Sequence, residues 1–132
     1  MNVDEGAEFS RSLGSQLLVV LQPALFEKTS RTETEDKLLA GALSVHASAD
    51  ALPDSYGTIR AGLNQRARNG AILFLDCSRI FNSEAATTFS DMWHFSDFGH
   101  NILASMMIQP IAAILNPQRP PKALRDRKPE KR

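Results

Sequence analysis

Two continuous apolar runs, residues 17–21 and 71–75, constrain the fold of this chain more than any other feature. Each is rich in leucine, valine or isoleucine and lacks the polar alternation of a strand with one face in water. Such runs predict strands buried on both faces, as in parallel sheets. Parallel strands need a long crossover connection, and the residues between the two runs can supply it. The sequence therefore predicts an α/β chain.

Helical segments are predicted around these strands. A short helix before the first strand should end near Gly14. Thr32 and Glu35 have the spacing of a capping box, which predicts a helix start. Pro53 begins a further helix, which Gly70 ends. The expected apolar faces are Val3, Phe9 and Leu13 in the first helix, Leu38, Leu39, Ala42 and Leu43, toward His46, in the second, and Tyr56, Ile59, Leu63 and Ala67 in the third.

A last helix is predicted from Ser96 or Asp97, where either side chain is a natural N-cap. Pro110 is expected to kink it. Its expected core face consists of Leu103, Met106, Met107, Ile111 and Ile114.

Two strands are few, because open parallel sheets usually have four or more strands with helices on both faces. We therefore expect a partial flavodoxin-like three-layer sandwich from which the N-terminal half of the domain is absent. The alternative is that another chain completes the sheet.

Composition bounds the class of protein. The chain has 132 residues, enough for one domain, and its 42% hydrophobic and 23% charged residues are typical of a soluble globular protein. No uninterrupted apolar run approaches the ~20 residues of a membrane span, so none is expected. The acidic start after Met1 lacks the features of a secretory signal, which predicts a cytoplasmic protein if Met1 is the true start. Cys77 is the single cysteine, so no intramolecular disulfide can form.

The chain divides into residues 1–116 and a basic, proline-rich tail, residues 117–132. The tail holds seven Lys or Arg against two Asp or Glu. We expect it to be a solvated, disordered extension. Nucleic acid is not expected as a partner.

The segment most informative about function, residues 89–100, lies between the second strand and the last helix. In doubly wound α/β proteins, ligands bind beyond the carboxyl ends of the strands, where this segment falls. Asp91 and His94 are three residues apart, so in a tight turn the carboxylate can accept a hydrogen bond from one imidazole nitrogen. The other nitrogen is then free to take a proton from a nucleophile. This spacing predicts a general base and the group that orients it.

The same segment resembles the last conserved block of the SGNH (GDSL-like) hydrolase family. The resemblance lies in Asp91-x-x-His94, the Phe-Ser-Asp-Phe-Gly stretch that follows, and the helix start at Asn101. It extends over about residues 10–115, which correspond to the second half of a typical family domain. It implies hydrolysis of carboxylic esters without metal or cofactor. By this resemblance Asp91 orients His94, which deprotonates a serine and later the attacking water.

The sequence also departs from the family pattern. It has no Gly-Asp-Ser stretch after an N-terminal strand and no Gly-x-Asn-Asp block, and its one Asp-Ser pair, Asp54-Ser55, falls at a predicted helix start. No residue can therefore be assigned as nucleophile, and the chain alone is expected to be inactive. Expected partners are an ester and either a complementary N-terminal chain or a second copy. The alternative is a non-catalytic interaction or regulatory fragment that pairs with a complementary chain.

Other side chains of this segment have simpler interpretations. A metal site made of Asp91, His94, Asp97 and His100 is disfavoured, because steps of three drift by about 60° around a helix. No metal is predicted. The remaining expectations are a loop-bracing Asp76, a small buried Cys77, aromatic packing rather than an acyl pocket for Trp93, Phe95 and Phe98, a Gly99 that lets the last helix approach the sheet, and a helix-surface His100.

Overall fold

The computed structural model describes residues 2–45 and 51–115 of the chain. The described part is a mixed α/β structure with a two-stranded sheet. Its elements in chain order are helix α1 (Val3–Ser12), strand β1 (Leu18–Leu21), a 3-10 helix (Leu25–Glu27), helix α2 (Glu33–Val45), helix α3 (Leu52–Arg68), strand β2 (Leu73–Asp76) and helix α4 (Asp97–Leu115).

The two strands pair in parallel, in a register that runs from Leu18 opposite Leu73 to Leu21 opposite Asp76. This confirms the predicted parallel crossover. The prediction that both strands are buried on both faces is wrong, because in each strand three of the four residues are only partly buried. The described sheet has just two strands, so each strand has a neighbouring strand on one side only. Helix α3 packs against β2.

The helix boundaries follow the predicted capping residues. The Thr32 hydroxyl accepts from the Glu35 amide at 3.3 Å, and the Glu35 carboxylate accepts from the Thr32 amide at 2.9 Å. Gly14 and Gly70 both adopt φ of +70°, which a side chain would disfavour. The capping box of α1, formed by Asn2 and Glu5, was not predicted.

The predicted apolar faces of α1, α2 and α3 each need correction. In α2, Leu38, Leu39 and Ala42 pack on buried residues as predicted, whereas Leu43 is exposed.

In α1, Val3 packs on the core as predicted. Phe9 and Leu13, the residue after the helix, are 61% and 65% exposed, and the helix instead buries Gly6 and Ala7. A Cβ on Gly6 would lie 3.3 Å from Leu17, so the small residues allow a close approach that the spacing of large side chains did not reveal. In α3, Tyr56 and Leu63 are buried as predicted, whereas Ile59 is exposed.

Helix α4 begins as predicted but is not buried as predicted. The Ser96 hydroxyl accepts from the Gly99 amide at 3.2 Å, which caps the first turn. Pro110 lies inside the helix. The expected core face is at best partly buried, and Met106 and Ile114 are exposed, because no described element covers this part of the helix.

The exposed helix α4 also bears on whether the chain could span a membrane. By length and composition alone α4, with its 19 mostly apolar residues, could cross a membrane, and very little of it is buried. The sequence-based expectation of no span rested on uninterrupted apolar runs, which the few polar residues of α4 shorten. A single helix of this kind is weak evidence for a span, since helices of soluble proteins meet the same criteria. His46 and the predicted tail lie outside the described residues.

Two apolar clusters hold the described part together. The first joins α1, β1 and α3 through residues such as Ala7, Leu21 and Leu63. The second packs the segment between β2 and α4 against the 3-10 helix. Its buried members are Leu25, Phe81, Phe89 and Met92. This second cluster supports the candidate site.

Candidate functional site

The segment predicted as the functional loop folds back on itself as a short hairpin, residues 86–96, which we call the site hairpin. Phe89 and Phe95 form an antiparallel bridge. The Ser90 amide donates to the His94 carbonyl at 2.9 Å, and the Ser96 amide donates to the Thr88 carbonyl at 2.8 Å. The tip of this hairpin therefore holds Asp91 and His94.

Asp91 uses both carboxylate oxygens within this tip. Oδ2 lies 2.7 Å from Nδ1 of the His94 imidazole. Oδ1 accepts from the Trp93 amide at 2.7 Å and from the His94 amide at 2.8 Å. The Trp93 amide, the His94 imidazole and the His94 amide together lower the pKa of Asp91 to about 2. The carboxylate is therefore ionised at neutral pH.

The predicted contact between Asp91 and His94 is thus confirmed as geometry. A carboxylate on Nδ1 favours the tautomer that carries its proton there, which leaves Nε2 as an acceptor. The His94 side chain is 78% exposed, and within residues 2–45 and 51–115 no hydrogen bond to Nε2 is found. The two serines that flank His94 in the sequence use their hydroxyls elsewhere: Ser90 donates to the His94 carbonyl at 3.2 Å, and Ser96 donates to the Thr87 carbonyl at 3.1 Å. The pair has the arrangement of a general base that faces solvent.

Contacts to the segment after β1 hold the hairpin tip in place. The Leu25 amide donates to the Met92 carbonyl at 3.1 Å. The Trp93 indole packs edge to face on Phe26, with ring centres 5.5 Å apart. Tyr56 lies against Phe26, and its hydroxyl donates to the Gln22 carbonyl at 2.9 Å. The Asp91–His94 pair consequently lies near the carboxyl end of β1.

A buried ion pair between Lys28 and Glu35 supports the other end of the site hairpin. The two side chains are 1% and 0% exposed, and Lys28 Nζ lies 2.7 Å from Glu35 Oε2. Nζ also donates to the Ala86 carbonyl at 2.8 Å and to the Thr88 hydroxyl at 3.2 Å. Glu35 Oε1 accepts from the Thr88 amide at 2.8 Å and from the Phe89 amide at 3.3 Å.

These partners keep Glu35 charged. Burial acts to raise its pKa, but the hydrogen bonds from Lys28 and from the Thr32 and Thr88 amides outweigh it and lower the pKa to about 2. The sequence pattern predicts Glu35 only as the partner of Thr32 in a capping box, and it predicts no role for Lys28. Nothing in their spacing indicates that Lys28 is buried, because its other partners lie 58 and 60 residues away along the chain.

Two residues at the end of β2 have the predicted structural roles. Asp76 Oδ1 accepts from the Ser78 amide at 3.0 Å, and Oδ2 accepts from Arg60 at 3.0 Å, which braces the turn after the strand. Cys77 is buried, and burial, with a smaller effect of the Asp76 charge, raises the pKa of its thiol. A raised pKa disfavours the reactive thiolate.

Gly99 permits a close approach of α4, as predicted, but the structure that α4 approaches is not the predicted one. A Cβ at this position would lie 2.3 Å from the Thr88 carbonyl oxygen, so the glycine allows α4 to approach the site hairpin rather than the sheet. Phe95 packs with Phe81 and Phe89, as expected for a core aromatic residue. The same expectation is wrong for Phe98, which is exposed, and holds only in part for Trp93, which packs on Phe26 but is 36% exposed.

His100 lies on the helix surface as predicted. Its ring packs on Phe95, and its Nδ1 faces the Ser96 carbonyl at 3.2 Å, so it makes no contact with Asp91. Among the residues that the structure describes, no group of three or more His, Cys, Asp or Glu could hold a metal ion.

Comparisons with known proteins were made for the whole chain. No family model, no curated protein and no solved structure matches it.

Proposed function

We propose that this chain contributes the acid–base half of an SGNH-type ester hydrolase site. In this proposal Asp91 orients His94, and Nε2 of His94 takes the proton of a serine hydroxyl that attacks a carboxylic ester. The observation that supports it most is the 2.7 Å contact between Asp91 Oδ2 and His94 Nδ1 on a ring whose other nitrogen is open to solvent.

The rest of the site would come from outside the described residues. We propose that further parallel strands extend the two-stranded sheet into a flavodoxin-like sandwich. These strands would bring the serine of a Gly-Asp-Ser stretch to His94. Such additional strands and their helices would cover the partly buried strands and the exposed face of α4. A base without a nucleophile and an oxyanion hole should give little rate, because these groups act as a unit.

The test is an assay with chromogenic short-chain esters, on the chain alone and on the chain mixed with a segment that carries a strand followed by Gly-Asp-Ser. The first such segment to try is any encoded directly upstream of Met1. We expect turnover only in the mixture, and a loss of roughly a thousandfold or more in His94→Ala.

The matched control is His100→Ala, which removes the exposed histidine that does not contact Asp91. This variant should keep the activity of the mixture. Equal activity of His94→Ala and the unmodified chain would exclude the proposed base.

A second candidate function is a non-catalytic fragment that binds a complementary chain. The observation that favours it is the exposed apolar surface of α4, on which Ile108 and Leu115 are 61% and 73% exposed. Binding of a complementary segment without any turnover would support this candidate over the hydrolase.

A further inference from the structure

The buried ion pair lies where it can control the geometry of the site hairpin. Lys28 belongs to the segment after β1, Glu35 belongs to α2, and both reach residues 86–89 at the base of the hairpin. Three separated segments therefore meet at one pair of charges. The hydrogen bonds continue upward through the Ser96 amide on the Thr88 carbonyl and the Ser90 amide on the His94 carbonyl, to the tip that holds Asp91.

Stability alone does not account for such a pair. Two charges taken out of water gain little over apolar side chains of similar volume, because desolvation offsets most of their attraction. Hydrogen bonds to charged groups, in contrast, are short and depend on direction. Glu35 Oε1 holds the amides of Thr88 and Phe89, and Lys28 holds the carbonyl of Ala86, so the pair sets the backbone path of one hairpin strand.

We infer that Lys28 and Glu35 are positioning residues, whose buried contacts to residues 86–89 hold the site hairpin so that Asp91 and His94 keep their mutual orientation. The catalytic meaning of this inference rests on the proposed function, whereas the positioning itself does not. Neither residue contacts the imidazole, so the effect must pass through the hairpin backbone.

The experiment replaces both charges by apolar side chains in Lys28→Met/Glu35→Leu. The two changes leave no unpaired buried charge, which avoids the largest cost of changing one residue alone. They also remove the partners of the Thr88 and Phe89 amides and of the Ala86 carbonyl, so far-UV circular dichroism first checks that the variant folds. Hydrogen exchange is then measured at the Ser90 and Ser96 amides, with amides of α3 as an internal reference. Trp93, the single tryptophan of the chain, reports the tip by near-UV circular dichroism and fluorescence.

We expect protection of the Ser90 and Ser96 amides to fall by about tenfold or more relative to α3, together with a weaker near-UV signal from Trp93. The matched control is Lys37→Met/Glu33→Leu, which removes the exposed ion pair of the same helix and should change neither signal. A folded double variant whose two amides and Trp93 signal match the unmodified chain would overturn the inference.

If the double variant does not fold, Lys28→Met/Glu35→Gln decides, because it also leaves no unpaired buried charge and keeps a carbonyl oxygen for the Thr88 amide. A loss of protection larger at Ser90 and Ser96 than in α3 supports positioning, and an equal loss everywhere overturns it. This test and the test of the proposed function can fail independently. Amide exchange in the site hairpin can differ between variants although no ester is hydrolysed, and ester hydrolysis can be found although amide exchange is the same in both.

Discussion

Among single residues, the two carboxylates Asp91 and Glu35 show how the same group serves different ends. Asp91 is more than half exposed and accepts three hydrogen bonds within a tight turn. Glu35 is fully buried and accepts from a lysine, from the amide of Thr32 in its own capping box and from the amide of Thr88 in the site hairpin. Both are held in the charged form by their donors. The first presents an imidazole to solvent, and the second supports the backbone beneath it.

These two groups predict how stability depends on pH. The pKa of Glu35 falls from 4.5 to about 2, and that of Asp91 from 3.8 to about 2. A depressed pKa contributes stability that is fully present above the ordinary value and is lost as pH falls through the lowered one. We expect the free energy of unfolding to decrease by about 2 kcal/mol between pH 5 and pH 2, measured by urea unfolding, and mainly through the buried Glu35, because solvent screens the half-exposed Asp91. Lys28→Met/Glu35→Leu should show a weaker decrease, and an equal decrease would assign the effect to other carboxylates.

On the scale of secondary structure, the start of α4 depends on a glycine that accommodates the site hairpin. Gly99 lies in the first turn of the helix, directly against the Thr88 carbonyl. The same carbonyl accepts from the Ser96 amide, so the backbone of Thr88 cannot move away without loss of a hairpin hydrogen bond. The helix start and the hairpin base are therefore coupled.

Gly99→Ala should consequently destabilise the protein, by about 1–3 kcal/mol, because the new methyl group would overlap the Thr88 oxygen. The matched control is Gly41→Ala in α2, where nothing lies within 4 Å of the added Cβ. That change should stabilise the protein by up to about 1 kcal/mol. Thermal unfolding of both variants checks the prediction, and a Gly99→Ala variant as stable as Gly41→Ala would contradict the described packing.

From the sequence, the types and boundaries of helices and strands were predicted more accurately than the burial of their side chains. Capping residues such as Thr32 and Gly70 act locally, so their patterns indicate where helices begin and end. The pair Asp91 and His94 was predictable for the same reason, since both residues belong to one turn. The ion pair of Lys28 and Glu35 was not, because it depends on how distant segments pack.

For the molecule as a whole, the main feature is apolar surface that the described residues do not cover. The strands of the two-stranded sheet are only partly buried, and α4 exposes much of its length. Burial patterns predicted from the sequence were wrong at α4 because periodicity shows that a face is apolar, not that a neighbour covers it. An exposed apolar patch of this kind is typical of an interaction surface.

The isolated chain should therefore bind a dye that fluoresces on apolar surfaces, or self-associate at micromolar concentration. Ile108→Glu with Leu115→Glu should reduce both effects, since these side chains are among the most exposed of the helix. Phe9→Glu, which changes an exposed residue of α1, is the control. Dye fluorescence and sedimentation velocity measure the outcome, and no difference between the two variants would place the apolar surface elsewhere.

The most direct test of the account is the protonation pattern of the His94 imidazole, read by 15N NMR of the unmodified chain above pH 8. If the Asp91 carboxylate holds Nδ1, that nitrogen carries the proton and Nε2 does not, and Asp91→Asn changes the tautomer balance. The predicted result is a single Nδ1-protonated form that the substitution abolishes. A ring with its proton mainly on Nε2, or with the same tautomer balance in Asp91→Asn, would contradict the claim that this pair is an oriented base.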